Sequence, residues 1–183
     1  IMSEEINAFA LPGGNIFIYS GLLKKMNSHE ELAALLGHEI SHVTQRHSLK
    51  SMFSGAAAGI LLGAVFGDMG GISSWIVSQA DRFKQLDYSR ELEMEADIQG
   101  LKIMQDNHID QRGMVKLLKL LKDESAETPA LMKYLSTHPE TDERIMHVEQ
   151  NLGTVNNSDK TVDLEGIFVK IKSALNAAEG QKY

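Results

Sequence analysis

The sequence predicts an α+β fold that is mainly α-helical, with one small β-sheet at the N-terminus. Three observations carry this. From Ser28 onward, apolar residues recur at three- and four-residue spacing through most of the chain. Strand-like segments flank only Pro12-Gly13-Gly14-Asn15. No internal repeat or low-complexity tract interrupts the 183 residues, enough for one domain with a sizeable core.

The hairpin spans residues 5–19. Ile6, Phe9 and Leu11 precede the turn and Ile16-Phe17-Ile18-Tyr19 follow it. Proline then glycine suits the two central positions of a type II turn. An outer strand left unpaired would let an extended peptide add to the sheet. A helix then starts at Ser28, whose spacing to Glu31 is a capping-box signal, and Leu32, Leu35, Leu36, Ile40 and Val43 form its apolar stripe. Residues 52–77 stand apart. Met52 to Phe66 carries no charge, and Gly55, Gly59, Gly63 and Gly67 recur every fourth residue, a stripe that suits close helix packing. The uncharged run falls short of the roughly 20 residues a membrane span needs. It reads either as a buried core helix or flap, or as a surface for a membrane or partner.

A second long helix is predicted from Leu86 to Met104, with Leu92, Ala96, Leu101 and Met104 inward. Asp110 to Lys122 reads as a helix with Met114, Leu117, Leu118 and Leu121 inward. Thr137-His138-Pro139-Glu140 opens another, with proline in its first turn, running to Leu152 and stopping at Gly153. Val162 to Ala178 closes the chain as an amphipathic helix.

A net charge of −7 and a pI near 5.5 argue against a nucleic-acid partner. The absence of cysteine excludes a disulfide scaffold and a thiolate metal site, so any metal must use histidine and carboxylate. No signal peptide is visible, and a chain beginning at Ile1 reads as a piece of a longer protein.

Chemistry concentrates in Gly37-His38-Glu39-Ile40-Ser41-His42. At about 100° per residue, His38 and His42 share a helix face one turn apart. Two imidazoles so placed can close on one Zn²⁺, and the carboxylate of Glu39 can reach a water at the open position. Gly37 lets another element approach just before the first ligand. The bland alternative is an exposed helix that carries two histidines. On the second helix, Glu93 and Asp97 stand one turn apart beside the small Ala96. Glu93 is the candidate third ligand, and Asp97 can accept the free N–H of a ligand histidine. Three protein ligands with one open position is a catalytic arrangement. His138 is the candidate transition-state donor; it can equally occupy the open zinc position or cap a helix. Arg144 can serve as that donor or hold the acidic helix, and Tyr134 is a weaker candidate. His47 is read as solvated, and His29, His108 and His147 receive no role.

His38-Glu39-Ile40-Ser41-His42, Ser89-Arg90 with Glu93-Met94-Glu95-Ala96-Asp97, and Thr137-His138-Pro139 with Arg144-Ile145 resemble the CAAX prenyl protease/HtpX-like zinc metallopeptidases. Asn7-Ala8-Phe9-Ala10-Leu11-Pro12-Gly13-Gly14 is similar to their soluble periplasmic, BepA- and LoiP-like branch. The resemblance implies a single zincin-like metallopeptidase domain over residues 1–183, with a family-like core at 5–150 and a C-terminal helical extension at 151–183. It implies one Zn²⁺ per chain on His38, His42 and Glu93, with Glu39 as catalytic acid/base and peptides or unfolded proteins as substrates. The expected clients are misfolded or envelope proteins, in the periplasm or cell envelope, with a cytoplasmic or membrane-associated setting as the alternative. Multi-span membrane segments and a C-terminal helical-repeat region are not seen, which disfavours prenylated substrates. A chaperone or assembly factor with a silent zinc site is the competing function. Retention of Glu39 argues against it, because a zinc scaffold has no need of that carboxylate.

Overall fold

The computed structural model describes residues 1–11, 13–51, 53, 88–127, 134, 137–139, 142–153 and 162–180. Strands β1 (Ala8–Leu11) and β2 (Asn15–Ile18) pair antiparallel, with Ala8 opposite Ile18 and Leu11 opposite Asn15. Gly13 has a φ of 102°, which a side chain would resist, and the Gly14 N–H donates to the Leu11 carbonyl at 3.1 Å. The turn falls where proline followed by glycine predicts it.

Helix α1 (Ser20–Lys25) leads into α2 (His29–Thr44). The Ser28 hydroxyl accepts from the Glu31 N–H, and the Glu31 carboxylate reaches back to the Asn27 N–H at 2.7 Å. The apolar stripe only partly describes what α2 buries. Leu35 is in the core, but Ile40 is 37% exposed. The inward face of the second half is Gly37, His38, Glu39, Ser41 and His42. A polar face turns inward because it meets polar partners on the next helix.

That helix, α3 (Arg90–Asp106), starts later than the pattern suggests. Ser89 caps it by accepting from the Leu92 N–H, and Tyr88 lies outside it. Glu93, Ala96, Asp97, Gly100, Leu101 and Met104 are buried. Gly37 of α2 faces Gly100 of α3. A Cβ on Gly37 would stand 3.2 Å from the Gly100 carbonyl oxygen, and one on Gly100 would stand 3.2 Å from the His38 nitrogen. The two helices therefore touch backbone to backbone beside His38, as expected of Gly37.

Helix α4 (Arg112–Glu127) buries Met114, Leu117, Leu118 and Leu121, and these join Leu22, Met26, Leu35 and Met104 in one core. Helix α5 (Asp142–Gln150) begins after the Thr-His-Pro stretch instead of with it. Thr137 is still helical, its hydroxyl and the His138 N–H both donating to the Tyr134 carbonyl, at 3.0 and 2.8 Å. Thr137 therefore closes a preceding turn and does not cap α5. Helix α6 (Leu164–Gly180) buries Phe168, and Lys172 donates to the carbonyls of Leu23, Lys24 and Met26 where α1 ends. Apart from exposed Phe53, the glycine stripe and the rest of 52–77 lie outside the described residues. Among those described, no helix is long and apolar enough to cross a membrane.

Replacing Gly37 by leucine should force α2 and α3 apart and destabilise the metal-free protein by about 1–3 kcal/mol or more, as overpacking does. Thermal unfolding after chelator treatment measures this, and an unchanged midpoint would contradict the crossing.

Candidate metal centre

His38 and His42 follow from α2 being regular: one turn apart, they present Nε2 atoms 2.9 Å from each other. Helix α3 brings Glu93 beneath them, Oε2 at 3.4 Å from His38 Nε2 and Oε1 at 3.3 Å from His42 Nε2. His138, from the link before α5, adds Nδ1 at 3.3 Å from His38 Nε2 and 3.1 Å from Glu93 Oε1. One donor atom from each of these four residues lies within 4.8 Å of all the others. A tetrahedral zinc with bonds near 2.0–2.1 Å holds its ligand atoms about 3.3 Å apart, so this nitrogen and oxygen set fits Zn²⁺.

Charge gives an independent test of that fit. Glu39, Glu93, Asp97 and Arg144 are all at most 3% exposed. Were every imidazole neutral, three carboxylates against one guanidinium would leave two negative charges in the interior, an excess that a proton on His38 offsets in part and a divalent cation would offset in full. Glu39 Oε1 is buried without a hydrogen-bond partner, and His138 Nε2 stands 3.8 Å from it.

Around the donors is a ring of fixed partners. His38 Nδ1 lies 2.9 Å from Asp97 Oδ1, the contact expected of a carboxylate that orients a ligand histidine. Arg144 grips Asp97 with Nε and Nη2, both at 2.8 Å, while Nη1 donates to the Pro139 carbonyl at 2.9 Å and pairs with Glu93 Oε2 at 2.8 Å. Its placement matches the holding role more than the donor role. Burial opposes a charge on His38, but Glu93 and Asp97 outweigh it and hold the pKa up to about 10. Burial and the charge of His38 keep His42 well below the usual histidine range. Burial would raise Glu93 and Asp97; His138, His38 and Arg144 around the first, and Arg144 and His38 beside the second, hold both below the usual carboxylate range. A cation held by His38 Nε2 would require that nitrogen to be free of a proton.

Three aromatic neighbours complete the walls, two of which spacing did not reveal. Tyr88 stacks on His42 at 4.1 Å between ring centres, and its hydroxyl pairs with Ser48 at 2.9 Å. Tyr134 stacks on His138 at 4.8 Å. His47, expected in solvent, is instead fully buried, with Nδ1 3.0 Å from His42 Nδ1. The helical wheel fails for it because α2 ends at Thr44 and Arg46 takes a left-handed φ of 56°, which swings the chain back to the site. Nothing about an arginine announces such a turn. His29, given no role, pairs with Glu165 of α6 at 2.7 Å.

Residues 1–152 match peptidase family M48. The chain is 31% identical over 155 residues to the beta-barrel assembly-enhancing protease of Escherichia coli (strain K12), and 35% identical over 155 residues to the putative beta-barrel assembly-enhancing protease of Vibrio cholerae. Each match takes in 79% of this chain and 32% of the relative. It is 32% identical over 146 residues to the mitochondrial metalloendopeptidase OMA1 of Schizosaccharomyces pombe, covering 79% of this chain and 43% of that protein. The chain thus spans less than half the length of these curated relatives.

Removing Arg144 leaves two buried carboxylates short of their partner. Arg144→Met should cost about 3–5 kcal/mol in denaturant unfolding. Because Glu93 and Asp97 titrate lower in the folded protein than in the unfolded chain, the unfolded chain takes up their protons first on acidification. The stability they contribute is present above about pH 4 and is lost as pH falls through their native values. Unfolding midpoints between pH 6 and pH 3, at roughly unit steps, should fall more steeply for wild type than for Asp97→Asn.

Proposed function

The chain belongs to peptidase family M48, and on that premise we propose that it is a zinc-dependent endopeptidase. His38, His42 and Glu93 hold the metal and Glu39 is the general acid/base. The observation that carries this reading is the meeting of three converging donors from α2 and α3 with the unpartnered, buried Oε1 of Glu39.

Zn²⁺ bound there supplies Lewis acidity, polarising the scissile carbonyl and acidifying water. Glu39 accepts the proton of the attacking water and delivers it to the leaving amine. Its placement between the two ligand histidines on one helix holds it in reach of both events. His138 has two faces: Nδ1 fills the fourth corner of the donor set, and Nε2 points toward the Glu39 side. His138 would serve either as a fourth holder of the metal through Nδ1 or as a donor to the developing oxyanion. Asp97 keeps the His38 ring in its metal-binding tautomer, and Arg144 keeps Asp97 and Glu93 in place.

The substrate is a peptide in extended form. A groove between β1 and the end of α2, whose lining includes Ala10, Leu11, Val43, Arg46 and Leu49, also touches His42, one of the proposed ligands. A peptide pairing with the edge of β1 would pass His42. Misfolded or envelope proteins in the periplasm or cell envelope are the proposed clients, a reading supported by the β-barrel assembly in the names of the bacterial relatives.

Casein cleavage with and without chelator tests the reading. Chelation should abolish cleavage and added Zn²⁺ restore it. Glu39→Gln should retain zinc in metal analysis yet cleave about 10²–10⁴-fold more slowly. Undiminished cleavage by that variant would remove Glu39 from the chemistry. Zinc-loaded wild type that suppresses client aggregation without cutting would favour the assembly-factor function.

A further inference from the structure

The two ligand histidines are held differently. His38 turns its outer nitrogen to a carboxylate, Asp97, at 2.9 Å. His42 turns its outer nitrogen to another imidazole, with His42 Nδ1 and His47 Nδ1 3.0 Å apart. At that separation one nitrogen carries the proton and the other accepts it. If His42 Nε2 keeps its lone pair for a cation, the His42 proton sits on Nδ1, and His47 must accept. The proton of His47 then lies on Nε2, which faces Glu95 Oε2 at 3.3 Å, and Lys50 holds that carboxylate at 3.1 Å. The opposite arrangement, with His47 donating, would put a hydrogen on His42 Nε2 and aim it at His38 and Glu93.

We propose that His47 is a positioning residue that fixes the tautomer of His42, accepting the Nδ1 proton so that Nε2 is free to bind the metal. This rests on the metal site proposed above. His47 is fully buried, and the Tyr88 ring stacked on His42 leaves the imidazole little room to turn by other means. The left-handed backbone of Arg46 is what delivers His47 to this place. The carboxylate that orients His38 bonds it directly; on the His42 side the contact is a second ring, His47, whose Nε2 lies near Glu95 without a hydrogen bond to it.

Two measurements on the whole chain test this. Long-range proton–nitrogen correlation spectra of the zinc-loaded protein should show His42 protonated at Nδ1 and His47 at Nε2; a proton on His47 Nδ1 overturns the proposal. Competition with a chromophoric chelator for Zn²⁺ should show His47→Leu weakened about 10–100-fold. His47→Asn, whose Oδ1 can accept in the same place, should recover most of that loss, although both variants empty part of the same packing. Equal losses in the two variants, or wild-type affinity in His47→Leu, overturn the proposal while leaving the metal site intact. Wild type that binds no Zn²⁺ overturns both readings together.

Discussion

Helical backbones come into contact only where side chains do not hold them apart, and α2 and α3 meet that condition at Gly37 and Gly100. The contact lies beside His38, and Glu93, Asp97, Gly100 and Met104 recur along one face of α3. A carboxylate on a short side chain reaches a ring nitrogen on the neighbouring helix only if the axes are close. A single methyl group at either glycine would press on the facing backbone, and the separations between His38, His42 and Glu93 would open with the helices.

Close approach creates a second demand. It buries three carboxyl groups and a guanidinium among histidines in a volume that excludes water, where unpaired charge is expensive. Arg144 meets part of the demand from a third helix, spanning Asp97 and Glu93 and reaching the Pro139 carbonyl. One side chain thus ties α3, α5 and the link carrying His138 into the same unit. The negative charge that remains suits a divalent cation, so the electrostatics of the interior and the chemistry of the donors point the same way.

The parts of the site differ in how firmly they are anchored. His38, Glu39 and His42 sit on a regular helix with a capped start, and Glu93 on another. His138 comes from a link between helices, held by its N–H on the Tyr134 carbonyl and by the stacked Tyr134 ring. Three of the four donors thus come from two regular helices and the fourth from a connecting segment.

Local regularity made much of this legible before any tertiary contact was known. A period of 3.6 residues puts His38 beside His42 and Glu93 beside Asp97 whatever surrounds them, and it turns Met114, Leu117, Leu118 and Leu121 to one side of α4. Proline then glycine announces the hairpin turn, and Ser28 the start of α2. Where the backbone leaves its regular path, spacing stops being informative. Left-handed Arg46 carries His47 inward, Thr137 closes a turn where its spacing suggests a cap, and Ile40 is partly exposed because a polar face of α2 is the one with partners. By itself the sequence determined which side chains share a helix face, since that depends only on residues a turn apart. Tertiary structure alone decided which faces meet and which residues distant in sequence, His138 and Arg144 among them, complete the centre. Those meetings depend on how closely whole helices can pack, and no interval along the chain encodes that.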